Sequence, residues 1–302
     1  TGEKTMRLPF LGYSITEAET IPCGVRARRP GLHGGTGPGF VPFSNTLDIS
    51  RPTVGFTNNG WKSYSLVNKK TTPDDYKDNF FGSGSLNIPS DGAWTEYKGT
   101  GFKKGLYSWS RARVIFLNRG ESVIDVAVND SIQRRFNPSS GTQPQQITMT
   151  GGGMRSLKVT VSKADGFVGY GVVLDSGRGI ALDNFSVRSN SGIALFGTDR
   201  ATNTAIGRML CYDLILLQYG LNAMDPENTN STAYGQQLRR VIGYIKSCFH
   251  GSTIIVMGVG DRSPRKDGEY VTMPAVDAML KEQRAAAQAT GVGFWNTYKA
   301  MG

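Results

Sequence analysis

The chain of 302 residues holds only two histidines, His33 and His250. Any chemistry that needs an imidazole base or a histidine-rich metal site therefore has two candidates. Cysteine is scarce as well. Cys23, Cys211 and Cys248 are odd in number, far apart and without a C-x-x-C pair, which excludes a disulfide framework or a zinc ribbon. Cys211 and Cys248 border apolar runs and read as small buried hydrophobes. No stretch approaches the ~18 apolar residues of a membrane span, and the N-terminal residues carry no signal-peptide pattern. Long runs of one charge are missing too, so the net charge of +10, from 34 Lys and Arg against 24 Asp and Glu, is dispersed. Such a surface tolerates anionic polymers. It lacks the basic stripe, zinc pattern or RNA-recognition motif of a nucleic-acid binder, so nucleic acid is not expected as a partner.

What is present is a globular composition. Hydrophobic residues make up 38%, and with 39 glycines the apolar share reaches about half, enough for a sizeable core in one large α/β domain or two ordinary ones. The chain begins at Thr1 rather than Met and stops shortly after an apolar run, which reads as a fragment or processed product.

Three near-continuous apolar runs, Met6–Leu11, Leu214–Leu217 and Ile254–Val259, have the pattern of parallel strands covered on both faces. Ser231 or Thr232 can cap a helix whose Tyr234, Leu238, Ile242, Ile245 and Phe249 form one apolar stripe. Pro274 suits the first turn of another helix through Val276, Leu280 and Arg284 to Ala289, and Val292–Trp295 reads as a further strand. Alternating strands and helices predict an α/β layer fold. From about 50 to 170 the period changes. Leu157, Val159 and Val161 alternate with Lys158, Thr160 and Ser162. Arg113–Leu117 and Ser122–Val128 read as two more strands, and no helical stripe intervenes. The expectation is an antiparallel β-sandwich inserted into an α/β domain. The boundaries are 1–48 and 172–302 for the α/β part and 49–171 for the insert.

Ligands of open parallel sheets sit beyond the carboxyl ends of the strands, so chemistry is sought there. Gly12-Tyr13-Ser14 follows the first run. A serine on a tight strand-to-helix turn exposes its hydroxyl and brings backbone N–H groups near a developing oxyanion. Gly220-Leu221-Asn222 follows the second run, and an asparagine amide offers N–H donors for such an oxyanion. The polar loop from Asp183 to Gly192 supplies further backbone donors. Taken alone, each feature also fits an ordinary turn.

Together, in this order, the three segments resemble the SGNH hydrolases, or GDSL-type esterases. Gly12-Tyr13-Ser14 resembles the first block, the loop ending Ser189-Asn190-Ser191-Gly192 the second, and Gly220-Leu221-Asn222 the third. Gly37–Phe43, Gly166–Val173 and Met257–Ser263 are similar to a bacterial branch with a β-sandwich between the first two blocks. The resemblance implies a three-layer, flavodoxin-like parallel sheet and a serine ester hydrolase that needs no metal or other cofactor. Ser14 would be its nucleophile, with Gly192 and Asn222 in the oxyanion hole. It further implies removal of O-acetyl groups from an acetylated polysaccharide or peptidoglycan, and export to the periplasm or cell surface. The sequence departs from the family in four places. Tyr13 stands at the usual Asp and Ala223 at the Asp of the third block. Residues 22–32 carry prolines and glycines where a regular helix is then not expected. No D-x-x-H occurs, so the family's Asp and His are expected past residue 302, after the strand near Trp295, and little hydrolysis is expected without them.

A second reading is a glycan-binding protein with a degenerate hydrolase domain. In it Trp61, Trp94, Trp109, Tyr64, Tyr97 and Tyr107 of the sandwich would hold the sugar.

Overall fold

The computed structural model describes residues 5–17, 19, 21–22, 24–26, 34–44, 51–225, 229–266 and 268–302. Cys23 and His33 lie outside the described residues. Of the stretch 22–32, residues 22 and 24–26 have helical backbone and the others lie outside the description.

In chain order the strands are β1 (Thr5–Leu11), β2 (Gly39–Val41), β3 (Val54–Ser65), β4 (Ser85–Gly99), β5 (Trp109–Asn118), β6 (Val123–Val128), β7 (Ile132–Phe136) and β8 (Gln145–Met154). They continue with β9 (Ser156–Ser162), β10 (Phe167–Asp175), β11 (Gly179–Asn184), β12 (Leu214–Leu217), β13 (Thr253–Met257), a two-residue pair β14 (Arg265–Lys266) and β15 (Glu269–Tyr270), and β16 (Gly293–Trp295). The helices are α1 (Ser14–Glu17), α2 (Arg200–Leu210), α3 (Thr232–Cys248), α4 (Ala275–Thr290) and α5 (Thr297–Met301).

Five strands form a parallel, flavodoxin-like sheet in the order β11-β1-β12-β13-β16. Nine more, from Gly39 to Asp175, form one antiparallel sheet curled into a half-barrel between the first two strands of the parallel sheet. The α/β layer with an inserted antiparallel unit is therefore the architecture the sequence pattern predicts. No helix among the described residues is long and apolar enough to cross a membrane.

The insert docks through its middle. Strand β10 is buried along its whole length. Val168, Tyr170 and Val173 join the core beneath the parallel sheet, while Phe167, Val172 and Leu174 join the insert's own core. A register shift between Gly169 and Gly171 exchanges the two faces. Neighbouring β5 divides in the same way, with Ile115 and Leu117 toward one core and Val114 and Phe116 toward the other. Burial on both faces explains apolar runs in an antiparallel sheet.

A buried cluster of charges ties the two sheets together. Arg7, on β1, donates from Nη1 to both carboxylate oxygens of Asp183 on β11 at 2.9 and 2.7 Å, and from Nη2 to Asp175 at the end of β10. Arg111 and Arg113 of β5 reach the same Asp175 at 2.8 and 3.2 Å. Burial opposes the charge on Asp175, but Arg7, Arg111 and Arg113 outweigh it and hold its pKa at about 2. Arg113 is pulled down to about 10 by burial and by the neighbouring Arg7.

The structure revises three expectations. Two short 3-10 helices, Leu66–Thr71 and Asp74–Asn79, interrupt the all-strand reading, because Pro73 and the adjacent Asp74 and Asp75 do not suit a paired strand. Cys248 is buried but Cys211 is exposed. It is the left-handed C-cap of α2, with φ 52°, and so stands off that helix's apolar stripe. Trp109, Tyr97 and Tyr64 are core residues, and Trp61 stacks on buried Phe43 at 4.5 Å between ring centroids. Tyr107 is exposed and Trp94, like Trp61, half-buried; Trp94 and Tyr107 each lie beside a cation, Lys158 and Arg155 respectively.

Replacing Asp175 by Asn leaves two buried arginines, Arg7 and Arg113, and the half-buried Arg111 against one carboxylate. Denaturant unfolding is expected to show a loss of about 3–5 kcal/mol. Because the folded pKa of about 2 lies below the ordinary ~3.9, the wild-type contribution is complete above the ordinary value and vanishes as pH falls through about 2. The Asn variant should lack that acid-dependent component.

Candidate active site

The carboxyl ends of β11, β1, β12 and β13 lie along one edge of the parallel sheet, and the segments singled out in the sequence all leave from it. β1 ends at Leu11, and after Gly12 and Tyr13 the chain turns into α1 with Ser14 as its first residue. The turn closes through Thr16 N–H to Tyr13 O at 3.0 Å. Glycine is required at 12, since a Cβ there would lie 2.8 Å from Thr16 Oγ1 and 3.0 Å from Ser186 Oγ.

The turn that carries Ser14 is bolted to the strands on either side. Thr16 Oγ1 donates to Gln218 Oε1 at 2.9 Å, just past β12, and Asn184 Nδ2, at the end of β11, donates to Thr16 O at 2.8 Å. Asn184 Nδ2 also reaches Glu19 Oε1 at 2.9 Å, and the buried Glu19 is ion-paired with buried Arg26. Ser14 itself is half-buried, and no side chain among the described residues hydrogen-bonds its hydroxyl. Burial pushes the Tyr13 phenol up to about 12, so the position of the family's acid holds a neutral group.

Gly192 and Asn222 meet around Asn190. The buried Asn190 accepts the Gly192 N–H on Oδ1 at 2.8 Å and Asn222 Nδ2 on its carbonyl at 3.2 Å. Gly192 has φ 96°, and a Cβ there would lie 3.0 Å from the ring of Tyr219. Its N–H is thus engaged in this conformation, whereas Asn222 keeps a second amide hydrogen. Asn222 sits on a 3-10 turn, Leu221–Ala223, that follows Gly220 at φ 120°. The turn is braced twice. Arg262 Nη1 donates to Leu221 O at 2.9 Å, and buried Gln283 of α4 donates from Nε2 to Tyr219 O at 2.7 Å while its Oε1 accepts Val259 N–H at 2.9 Å. Gln283 therefore staples the loops after β12 and β13 with one side chain.

His250 follows α3 and precedes β13, at the opposite edge of the sheet. There it lines a cleft of about 410 Å³ with Cys211 and Cys248. It does not reach Ser14. No group of three or more metal-ligating side chains occurs among the described residues. Thr16, Glu19, Asn184, Asn190, Gln218 and Gln283 were not found by motif reading. The signal for Gln218 and Asn184 was a lone amide closing each apolar strand.

No protein-family profile matches the sequence, and no curated protein does. Among solved structures, a peptidoglycan O-acetylesterase superposes with a TM-score of 0.76 over 99% of this chain and 80% of that one, at 16% identity. The topology is that of the SGNH fold, and at this identity the likeness is one of fold. A family two carbohydrate esterase from Cellvibrio japonicus matches over 80% of this chain and 88% of that one at 9% identity and a TM-score of 0.30. A salicylyl-acyltransferase from a tetracycline biosynthetic pathway matches over 83% and 84% at 12% identity and a TM-score of 0.32. The last two superpose too loosely to add to the argument.

Gln283→Leu leaves a buried carbonyl and a buried N–H without partners, at a cost of about 1–3 kcal/mol each. Hydrogen exchange should show faster exchange at Val259 N–H and in the turn around Asn222. Unchanged protection there would contradict the staple.

Proposed function

We propose that the protein is a serine ester hydrolase of SGNH type that removes O-acetyl groups from a polysaccharide such as peptidoglycan. One observation carries the reading. Ser14 heads a helix turn fixed by Gln218 and Asn184, on the same sheet edge where Asn222 and Gly192 converge on Asn190. In this reading Ser14 Oγ attacks the acetyl carbonyl and gives its proton to a base, and negative charge gathers on the carbonyl oxygen. The Ser14 backbone N–H and the second Asn222 amide hydrogen face that charge. Gly192 N–H joins them when Asn190 Oδ1 yields it. The bond to the sugar oxygen then breaks, the alcohol leaves with a proton, and water releases acetate from the acyl-serine.

Among the described residues no side chain hydrogen-bonds the Ser14 hydroxyl that the base has to reach. The fold shared with a peptidoglycan O-acetylesterase supports the substrate class, which in turn implies a protein exported to the periplasm or cell surface. The glycan-binding alternative loses half of its platform, since Tyr97 and Trp109 are buried in the insert's core and Tyr64 in the core beneath the parallel sheet.

In the full-length protein, Ser14→Ala should abolish release of acetate from 4-nitrophenyl acetate and from O-acetylated peptidoglycan. Asn222→Ala should lower kcat by about 10²–10³. Undiminished turnover in the Ser14 variant overturns the assignment.

A further inference from the structure

A surface element beside the candidate oxyanion donors is built to hold negative charge. The residues after Gly192 form a 3-10 helix, Ile193–Gly197, whose Phe196 is 39% exposed. The guanidinium of Arg240, on α3, lies over the Phe196 ring at 5.4 Å. That ring meets Tyr244 at 6.0 Å and 60°, and Arg200, the first residue of α2, lies over Tyr244 at 5.9 Å. The result is a row of cation, ring, ring, cation drawn from three elements. Tyr244 is itself fixed, with its hydroxyl 2.9 Å from Thr198 Oγ1 and accepting from Asn203 Nδ2 at 3.1 Å.

Both arginines are exposed, and among the described residues neither guanidinium has a carboxylate or hydrogen-bond partner. An aromatic face positions a guanidinium without occupying its N–H edge, which stays free for bidentate contact with an anion. The nearest acid in sequence, Asp199, is occupied capping α2 through Thr202 N–H at 2.6 Å. Lys69 extends the positive rim by donating to Gly197 O at 3.0 Å, although it also faces Asp78 at 3.5 Å.

The row starts close to the site. Phe196 is four residues past Gly192, roughly 8 Å at the rise of a 3-10 helix. Tyr234 of α3 donates to Ser191 O at 3.1 Å, and Arg240 lies six residues further, about 9 Å along the helix.

From this we infer that Arg200 and Arg240 form a subsite for carboxylates of an anionic glycan, placed a short saccharide's length from the reacting ester. The inference names the substrate class of the hydrolase reading and rests on it, but its test reads binding alone.

Titration with polygalacturonate, against neutral xylan as control, decides it. Wild-type protein should bind the polyanion, with affinity falling as salt rises, and bind xylan more weakly. R200Q/R240Q should lose about tenfold or more toward polygalacturonate, the effect of removing two charge-assisted contacts. R200K/R240K, which keeps the charge but not the bidentate fork, should fall between wild type and the Gln double, with thermal melting to verify folding of each variant. K103Q/R134Q removes equal charge from exposed positions of the insert and should change binding less than about twofold, within the range of a surface substitution. Equal losses in the two Gln doubles would assign the binding to net charge and overturn the subsite. Unchanged binding by R200Q/R240Q, or equal wild-type affinity for the two polymers, would also overturn it. Full-length wild-type protein that binds polygalacturonate in the expected pattern yet releases no acetate from 4-nitrophenyl acetate or O-acetylated peptidoglycan supports the subsite and sinks the hydrolase reading instead.

Discussion

The arrangement of the two sheets depends on what happens to one guanidinium. Arg7 sits in the second-position strand of a parallel sheet, fully enclosed, where an unpaired charge would cost several kcal/mol. Its compensation comes from both sheets at once, through Asp183 on the adjoining strand and Asp175 on the last strand of the insert. Asp183 also accepts Phe40 N–H at 2.9 Å, which fixes the first strand of the insert against the same point. The approach is so close that a Cβ on Gly39 would lie 2.1 Å from Leu182 O. Entry to and exit from the insert therefore share one electrostatic seam. Such a seam adds little net stability over an apolar one, but its hydrogen-bond geometry admits a single alignment.

At the carboxyl edge the chain changes from charges to amides. Asn184, Asn190, Gln218 and Gln283 are all buried, and each carries both a donor and an acceptor on a short planar group. A loop leaving a strand exposes both kinds of backbone group, so one amide can satisfy two neighbours that no carboxylate or ammonium could serve together. Gln283 does this for Tyr219 O and Val259 N–H, and Asn184 for Thr16 O and Ser186 N–H.

The architecture was legible because burial on both faces leaves a mark on sequence. Met6–Leu11, Leu214–Leu217 and the alternating Leu157, Val159 and Val161 announced a parallel layer and an antiparallel insert, and those strands stand where the pattern put them. What escaped was encoded in single residues whose partners lie far away in the chain. Arg7 interrupts an apolar run, and only the fold shows that Asp183 and Asp175 answer it. Gln283 occupies a helix position that periodicity treats as neutral. The aromatics of the insert could not be sorted into core and surface by sequence for a related reason: composition counts rings, but the curl of the sheet decides which rings face inward. Cys211 followed the same logic in reverse, since a helix end releases a residue that its neighbours suggest is buried.

The seam also bears on how the chain assembles. Arg7 and Asp183 are separated by 176 residues, and closing so long a loop carries an entropic cost that rises with the logarithm of its length. Within the insert β3 pairs with the next strand, β4, and β6 with β7, while β2, β4 and β5 pair with the distant β10. The pairing of β2 with β10 brings the two ends of the insert together and shortens the effective gap between Arg7 and its carboxylates. Strand β1 pairs with β11 and β12, both of which follow the insert in the chain. Synthesis from the N-terminus delivers that strand first, so a newly made chain carries an apolar, unpaired segment until the insert behind it has folded.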